Sequence, residues 1–199
     1  MSTVATAPNP TPATRLMTAD DFFDFVSLPE NENRSFELVR GKVVEMSRPT
    51  KQHGLAVTNI ALELKLYARQ KRIGYVTVEA GVQLEEDTVR GPDVAYFTDA
   101  TTFDDIHPKW GGMPPILAVE VLSPNDRPGI INAKIRDYLD NGVKIVWVID
   151  YEDRTVTIHR QNVPFVILKE SQELTGGGEL PGFSCPIRNL FLTDGEQPS

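Results

Sequence analysis

Cysteine is almost missing. Cys185 stands alone in 199 residues, so no internal disulfide framework can form, and the chain suits a reducing compartment. Long apolar runs are missing too: no stretch approaches the roughly eighteen residues of a membrane-crossing helix. The opening MSTVATAPNPTPATR has neither the charged start nor the apolar stretch of a secretory signal. Rich in Ala, Thr and Pro, it reads as a disordered tail over residues 1–14. A cytoplasmic protein is expected. The phosphate-cradling patterns GxGxxG and GxxxxGK(S/T) are absent. The three histidines, His53, His107 and His159, are scattered, and with one cysteine they speak against zinc. Basic residues are in deficit, 20 against 28 acidic ones, for a net charge of -8. Phosphate binding runs on Lys and Arg, so such a balance opposes a nucleic-acid partner unless basic residues gather on one face. A divalent cation that neutralises clustered carboxylates would weaken that objection.

The apolar fraction, 40%, is enough for one continuous core, and the length fits one domain, expected over residues 15–192 with a loose end at 193–199. Thr18 with Asp21 reads as a capping box opening a short helix to Val26. FELVRGKVVEM reads as two strands joined tightly at Arg40-Gly41. Val57, Ile60, Ala61, Leu64, Tyr67 and Ala68 recur at helical spacing, which predicts a helix from about Gly54 to Arg72, stopped by Gly74. YVTVEAGVQL and DVAYF are β-rich runs separated by what reads as a charged turn, EEDTVRGP. ILAVEVL is so uniformly apolar that it should be buried on both sheet faces, ending at Ser123-Pro124-Asn125. A helix from roughly Ile130 to Asn141 follows, then the buried strand KIVWVID. RTVTIHR and PFVILK look like an outer hairpin. The pattern is an α/β (α+β) fold, a mixed sheet flanked by helices.

Two carboxylates stand out by position. Asp93 follows Pro92 at the start of DVAYF, where it is a turn residue or a ligand. Glu120 lies inside ILAVEVL, where a bare charge is costly, so it must be held by an ion pair or by a cation. Hard carboxylate oxygens suit Mg²⁺, which binds through one or two of them plus water and phosphate.

GPDVAYF followed by LAVEVLSP resembles the PD-(D/E)XK nuclease pattern, and most closely the Uma-two family within it. The resemblance covers about Leu16 to Leu192. It rests on Pro92-Asp93, Glu120 to Pro124, Lys134, Tyr138, Gly142-Val143 and Trp147 to Asp150, with FELVRGKVVEMS and His53 upstream. It implies a restriction-endonuclease-like fold and a Mg²⁺- or Mn²⁺-dependent endonuclease acting on DNA. Asp93 and Glu120 would hold the metal. The chain departs at the third motif position: where E-x-K would put a lysine on the strand face of Glu120, it has Leu122. The resemblance implies Lys134 as the replacement, and Lys134 lies at the edge of the stripe Ile131, Ile135, Tyr138 and Leu139. Its other reading is a snorkelling surface lysine. Glu37 is either a third carboxylate of the site or a solvent-facing strand residue. His53 either touches substrate phosphate or ends a loop. Lys65, Arg69 and Arg72 form either a backbone-tracking patch or a solvated helix face. A homodimer would suit cutting two strands. Against the nuclease stand a non-catalytic binding or assembly module, favoured by the acidic balance, and a nuclease for RNA or branched substrates.

Overall fold

The structure, a computed structural model, describes residues 16–124 and 126–196. The tail expected over residues 1–14, Asn125 and residues 197–199 lie outside the described residues. The first helix, α1 (Ala19–Val26), starts at Thr18, whose hydroxyl accepts from the Asp21 N–H while the Asp21 carboxylate accepts from the Thr18 N–H. This is the capping box read from the sequence. Strands β1 (Ser35–Val39) and β2 (Lys42–Met46) pair antiparallel across Arg40-Gly41. Both turn residues have positive φ, 48° and 72°, as a two-residue hairpin turn twisted to match its strands requires.

Helix α2 (Lys51–Lys71) begins a turn earlier than the periodicity predicts. Thr50 is its N-cap, accepting from the His53 N–H at 3.2 Å. The polar triplet Lys51-Gln52-His53 is therefore helical although it carries no apolar signal. The helix closes on Arg72, which takes a left-handed φ of 55°, just ahead of the expected stop.

Between Tyr75 and Phe97 the structure corrects the reading of two strands and a charged turn. There are four strands: β3 (Tyr75–Val78), β4 (Val82–Glu85), β5 (Thr88–Arg90) and β6 (Val94–Phe97). The charged stretch contains β5, whose three residues are all buried. β5 pairs with β1 and β4 in a four-stranded sheet of order β2-β1-β5-β4. A buried arginine strand is tolerable here because carboxylates surround Arg90.

The second sheet is built around β7 (Leu117–Val121) and β8 (Ile145–Asp150), which run parallel and are linked by α3 (Pro128–Asp140). A parallel pair needs such a crossover. The hairpin of β9 (Thr155–Arg160) and β10 (Val163–Lys169) forms one edge, as expected, giving the order β10-β9-β8-β7-β6-β3. A small pair, β11 (Glu173–Thr175) and β12 (Ser184–Pro186), lies outside both sheets. Side-chain alternation sorts β7 and β8 between two layers. Leu117, Val119, Val121, Ile145, Trp147 and Ile149 face the large core under α2, while Ala118, Val146 and Val148 face α3. Glu120 shares the α3 face with Ala118. No described helix is long and apolar enough to cross a membrane.

Candidate active site

Five elements converge on one open cleft: β1, the first turn of α2, the link between β5 and β6, the end of β7, and α3. Glu37, His53, Asp93, Glu120 and Lys134 all line it. Every principal candidate singled out in the sequence is thus in one place, although the five are spread over nearly a hundred residues.

Asp93 sits just before β6, its side chain 18% exposed. Its Oδ2 accepts the Val121 backbone N–H at 2.6 Å, tying the mouth of β6 to the end of β7. Glu120 is 3% exposed and both its oxygens are engaged. Oε2 accepts from Lys134 Nζ at 2.8 Å and Oε1 from the Tyr138 hydroxyl at 2.6 Å. Lys134 is buried rather than snorkelling, and it bridges to Glu37 Oε1 at 3.0 Å as well. The helix delivers Lys134 and Tyr138 together because residues four apart share a face. Leu122 packs instead into the apolar cluster under α3.

Two readings need correction. Glu37 is not solvent-facing: it is 3% exposed and accepts from Arg90 Nη1 at 2.7 Å and from the Gly91 N–H at 3.1 Å. His53 ends no loop. It lies buried in the first turn of α2, with Nε2 3.4 Å from Asp93 Oδ2. Its Nδ1 has no hydrogen-bond partner among the described residues.

The electrostatics follow from one lysine serving two buried carboxylates. Burial pushes the Glu120 carboxyl up to about 7, with Asp93 and Glu37 adding to the effect and Lys134 opposing it. Burial works against charge on Lys134, but the Glu120 and Glu37 carboxylates outweigh it and hold its pKa above the ordinary value. Burial and Glu120 together push the Tyr138 hydroxyl far up, so it stays a donor. Burial opposes charge on His53, yet Asp93 prevails and raises it.

Sequence reasoning missed Arg90 and Asp137. Arg90 Nε and Nη2 donate to Asp137 Oδ2 at 3.0 and 2.5 Å, joining β5 to α3. A signal for Asp137 existed: it falls three residues after Lys134, on a helix side that the apolar stripe had marked as inward. Arg90 was hidden inside a stretch that looked like a turn. Lys65, Arg69 and Arg72 do not join the site. They line a separate cleft at the opposite end of α2, with Thr98 and Thr101.

The donor set fits a hard divalent cation. Five carboxyl groups, those of Glu37, Glu79, Asp93, Glu120 and Asp126, line the cleft together with the amine of Lys134 and the imidazole of His53. Among the described residues no three of His, Cys, Asp and Glu converge closely enough to hold an ion by themselves. Two carboxylates completed by water and a substrate oxygen suit Mg²⁺ or Mn²⁺ and not zinc.

The sequence matches the Uma2 family, described as "Putative restriction endonuclease", over residues 22–188. The chain belongs to this family. No protein of curated function matches it. Its fold is similar to the crystal structure of a "putative nuclease belonging to DUF820" from Anabaena variabilis ATCC 29413. The TM-score is 0.75 at 20% identity, covering 88% of this chain and 97% of the other. The cleft therefore stands within the Uma2 match, on a fold shared with that protein.

Proposed function

We propose that this Uma2 protein is a Mg²⁺- or Mn²⁺-dependent endonuclease that hydrolyses phosphodiester bonds in DNA. The observation that carries the reading is Lys134, delivered by α3 to within 2.8 Å of Glu120 in the cleft that Asp93 also lines. It stands in for the lysine that Leu122 replaces. Asp93 and Glu120 would hold the metal, with Glu120 released on one side from Lys134 or Tyr138. Such an ion, when bound, makes its water a stronger nucleophile and stabilises charge on phosphate. Lys134 stays protonated among carboxylates and donates from Nζ to the phosphate oxygen that gains charge. Glu37, with both oxygens in bonds to protein cations and amides, acts as the counter-ion that holds Lys134. His53 steadies Asp93. A homodimer would present two such clefts to the two strands of a duplex.

The full engagement of both Glu120 oxygens favours one competing reading, a nucleic-acid-binding or assembly module without catalysis. Incubation with plasmid DNA and Mn²⁺, with EDTA as control, separates the two. Cleavage that EDTA stops, and that Asp93→Ala loses together with calorimetric Mn²⁺ binding, supports the nuclease. Undiminished Mn²⁺ binding in folded Asp93→Ala and Glu120→Gln sinks the site.

A further inference from the structure

We propose that Arg90 is a positioning residue, which fixes the ammonium of Lys134 by clamping Glu37 and α3 at once. The inference rests on the reading of Lys134 as a catalytic residue. Arg90 is 4% exposed. Its guanidinium reaches Glu37 on β1 at 2.7 Å through Nη1, and Asp137 on α3 through Nε and Nη2. Glu37 is in turn 3.0 Å from Lys134 Nζ. A chain of three buried contacts therefore runs from Asp137 through Arg90 and Glu37 to Lys134, which leaves the same helix one turn before Asp137.

A lysine side chain is a flexible four-carbon stem, so its ammonium rests wherever its acceptors stand. Glu120 supplies one acceptor and Glu37 the other, and among the described residues Glu37 is itself held by Arg90, the Gly91 N–H and Lys134. Without Arg90, Glu37 would lean on Lys134 and draw it from Glu120. Asp137 would lose its buried partner, keeping among the described residues the Arg40 side chain, which is 68% exposed, and the phase of α3 would loosen. A planar fork can address two carboxylates on two elements; a lysine at position 90 could not. Stability alone does not explain the arrangement, because apolar groups often replace a buried ion network with no loss of stability. Arg90 also stands three residues before Asp93, so one segment delivers Asp93 directly and sets Lys134 at a distance.

The test uses full-length protein carrying Arg90→Met, Arg90→Ala or Asp137→Asn, the last losing only one arm of the clamp. The first readout is the ¹⁵N signal of the Lys134 ammonium in metal-free protein, slow to exchange in wild type because it is buried between two carboxylates. That signal should broaden or vanish in each folded variant, while Mn²⁺ affinity changes less than about threefold. With plasmid DNA, kcat should fall on the order of a hundredfold with KM little changed, as for a misplaced reacting group. Millimolar guanidinium chloride should restore part of both signal and kcat in Arg90→Ala and nothing in Arg90→Met, whose side chain fills the space. A merely structural role lowers thermal stability without moving these readouts. A retained Lys134 signal in folded Arg90→Met and Asp137→Asn overturns the proposal. Wild-type protein that cleaves nothing overturns the nuclease reading instead, and the ammonium signal still decides what Arg90 does.

Discussion

Glu120→Gln should stabilise the metal-free protein at alkaline pH and leave it nearly unchanged in acid. The Glu120 carboxyl titrates at about 7 in the folded protein against an ordinary 4.5. Between those values the folded state holds the proton more tightly than the unfolded chain does. Stability from this group is thus fully present below pH 4.5 and is lost as pH rises through 7. The integrated loss is about 3 kcal/mol. Glutamine carries no charge to ionise, accepts from Lys134 through its carbonyl, and can donate to the Tyr138 hydroxyl oxygen. Relative to wild type it should therefore gain up to about 3 kcal/mol between pH 4 and pH 8, or on the order of 6–12 °C in melting temperature for a chain of this size. His53, raised by Asp93, loses stability in the same direction but in both proteins, so it largely cancels in the difference. Scanning calorimetry in EDTA from pH 4.5 to 8.5 measures the gap directly. Adding Mn²⁺ at pH 8 should close it by stabilising only the wild type. A gap that is flat with pH, or one that favours the wild type increasingly as pH rises, refutes the reasoning.

Lys134→Ala should reduce DNA cleavage on the order of a hundredfold or more while Mn²⁺ still binds, and full activity in that variant ends the case for Lys134. It should also cost about 3–5 kcal/mol in urea unfolding, because Glu37 and Glu120 would face each other with no ammonium between them. Removing the charges of Lys65, Arg69 and Arg72 together should weaken DNA binding for any sequence and flatten its salt dependence by about one unit of slope per lost contact; an unchanged slope makes the cluster a solvated face. Burial pushes the Cys185 thiol up to about 12, so native protein at pH 8 should resist thiol reagents that label it promptly in denaturant. Fast native labelling would show that the core around β12 opens.

Of the three candidates Asp93, Glu120 and Lys134, only Glu120 breaks a local rule, by interrupting an apolar strand. Asp93 after a proline also suits an ordinary turn, and Lys134 lies at the edge of an apolar helix stripe, so both are singled out through the resemblance to the nuclease pattern. Local rules carry no information about what such groups touch. Glu37 meets Arg90 across 53 residues only because β1 and β5 pair, and β5 is three residues long inside a charged stretch. A strand that short, with an arginine at its end, has neither the length nor the alternation by which strands are recognised. The start of α2 was lost for a related reason. Its first turn is polar and opens on the Thr50 cap, so it carries no apolar period even though His53 is buried there, and that shift of one turn is what turns His53 from a loop residue into a partner of Asp93. β11 and β12, three residues each, were too short to carry a period.

The length of α2 sets a scale for whatever nucleic acid the protein meets. His53 stands in its first turn and Arg69 in its last, sixteen residues apart, which is about 24 Å along the axis. If DNA meets both the cleft and the basic cluster of Lys65, Arg69 and Arg72, then at roughly 3.4 Å per base pair it must span at least about seven base pairs. Affinity measured against oligonucleotide length should in that case rise in a step near that footprint instead of smoothly, with the helix serving as the ruler.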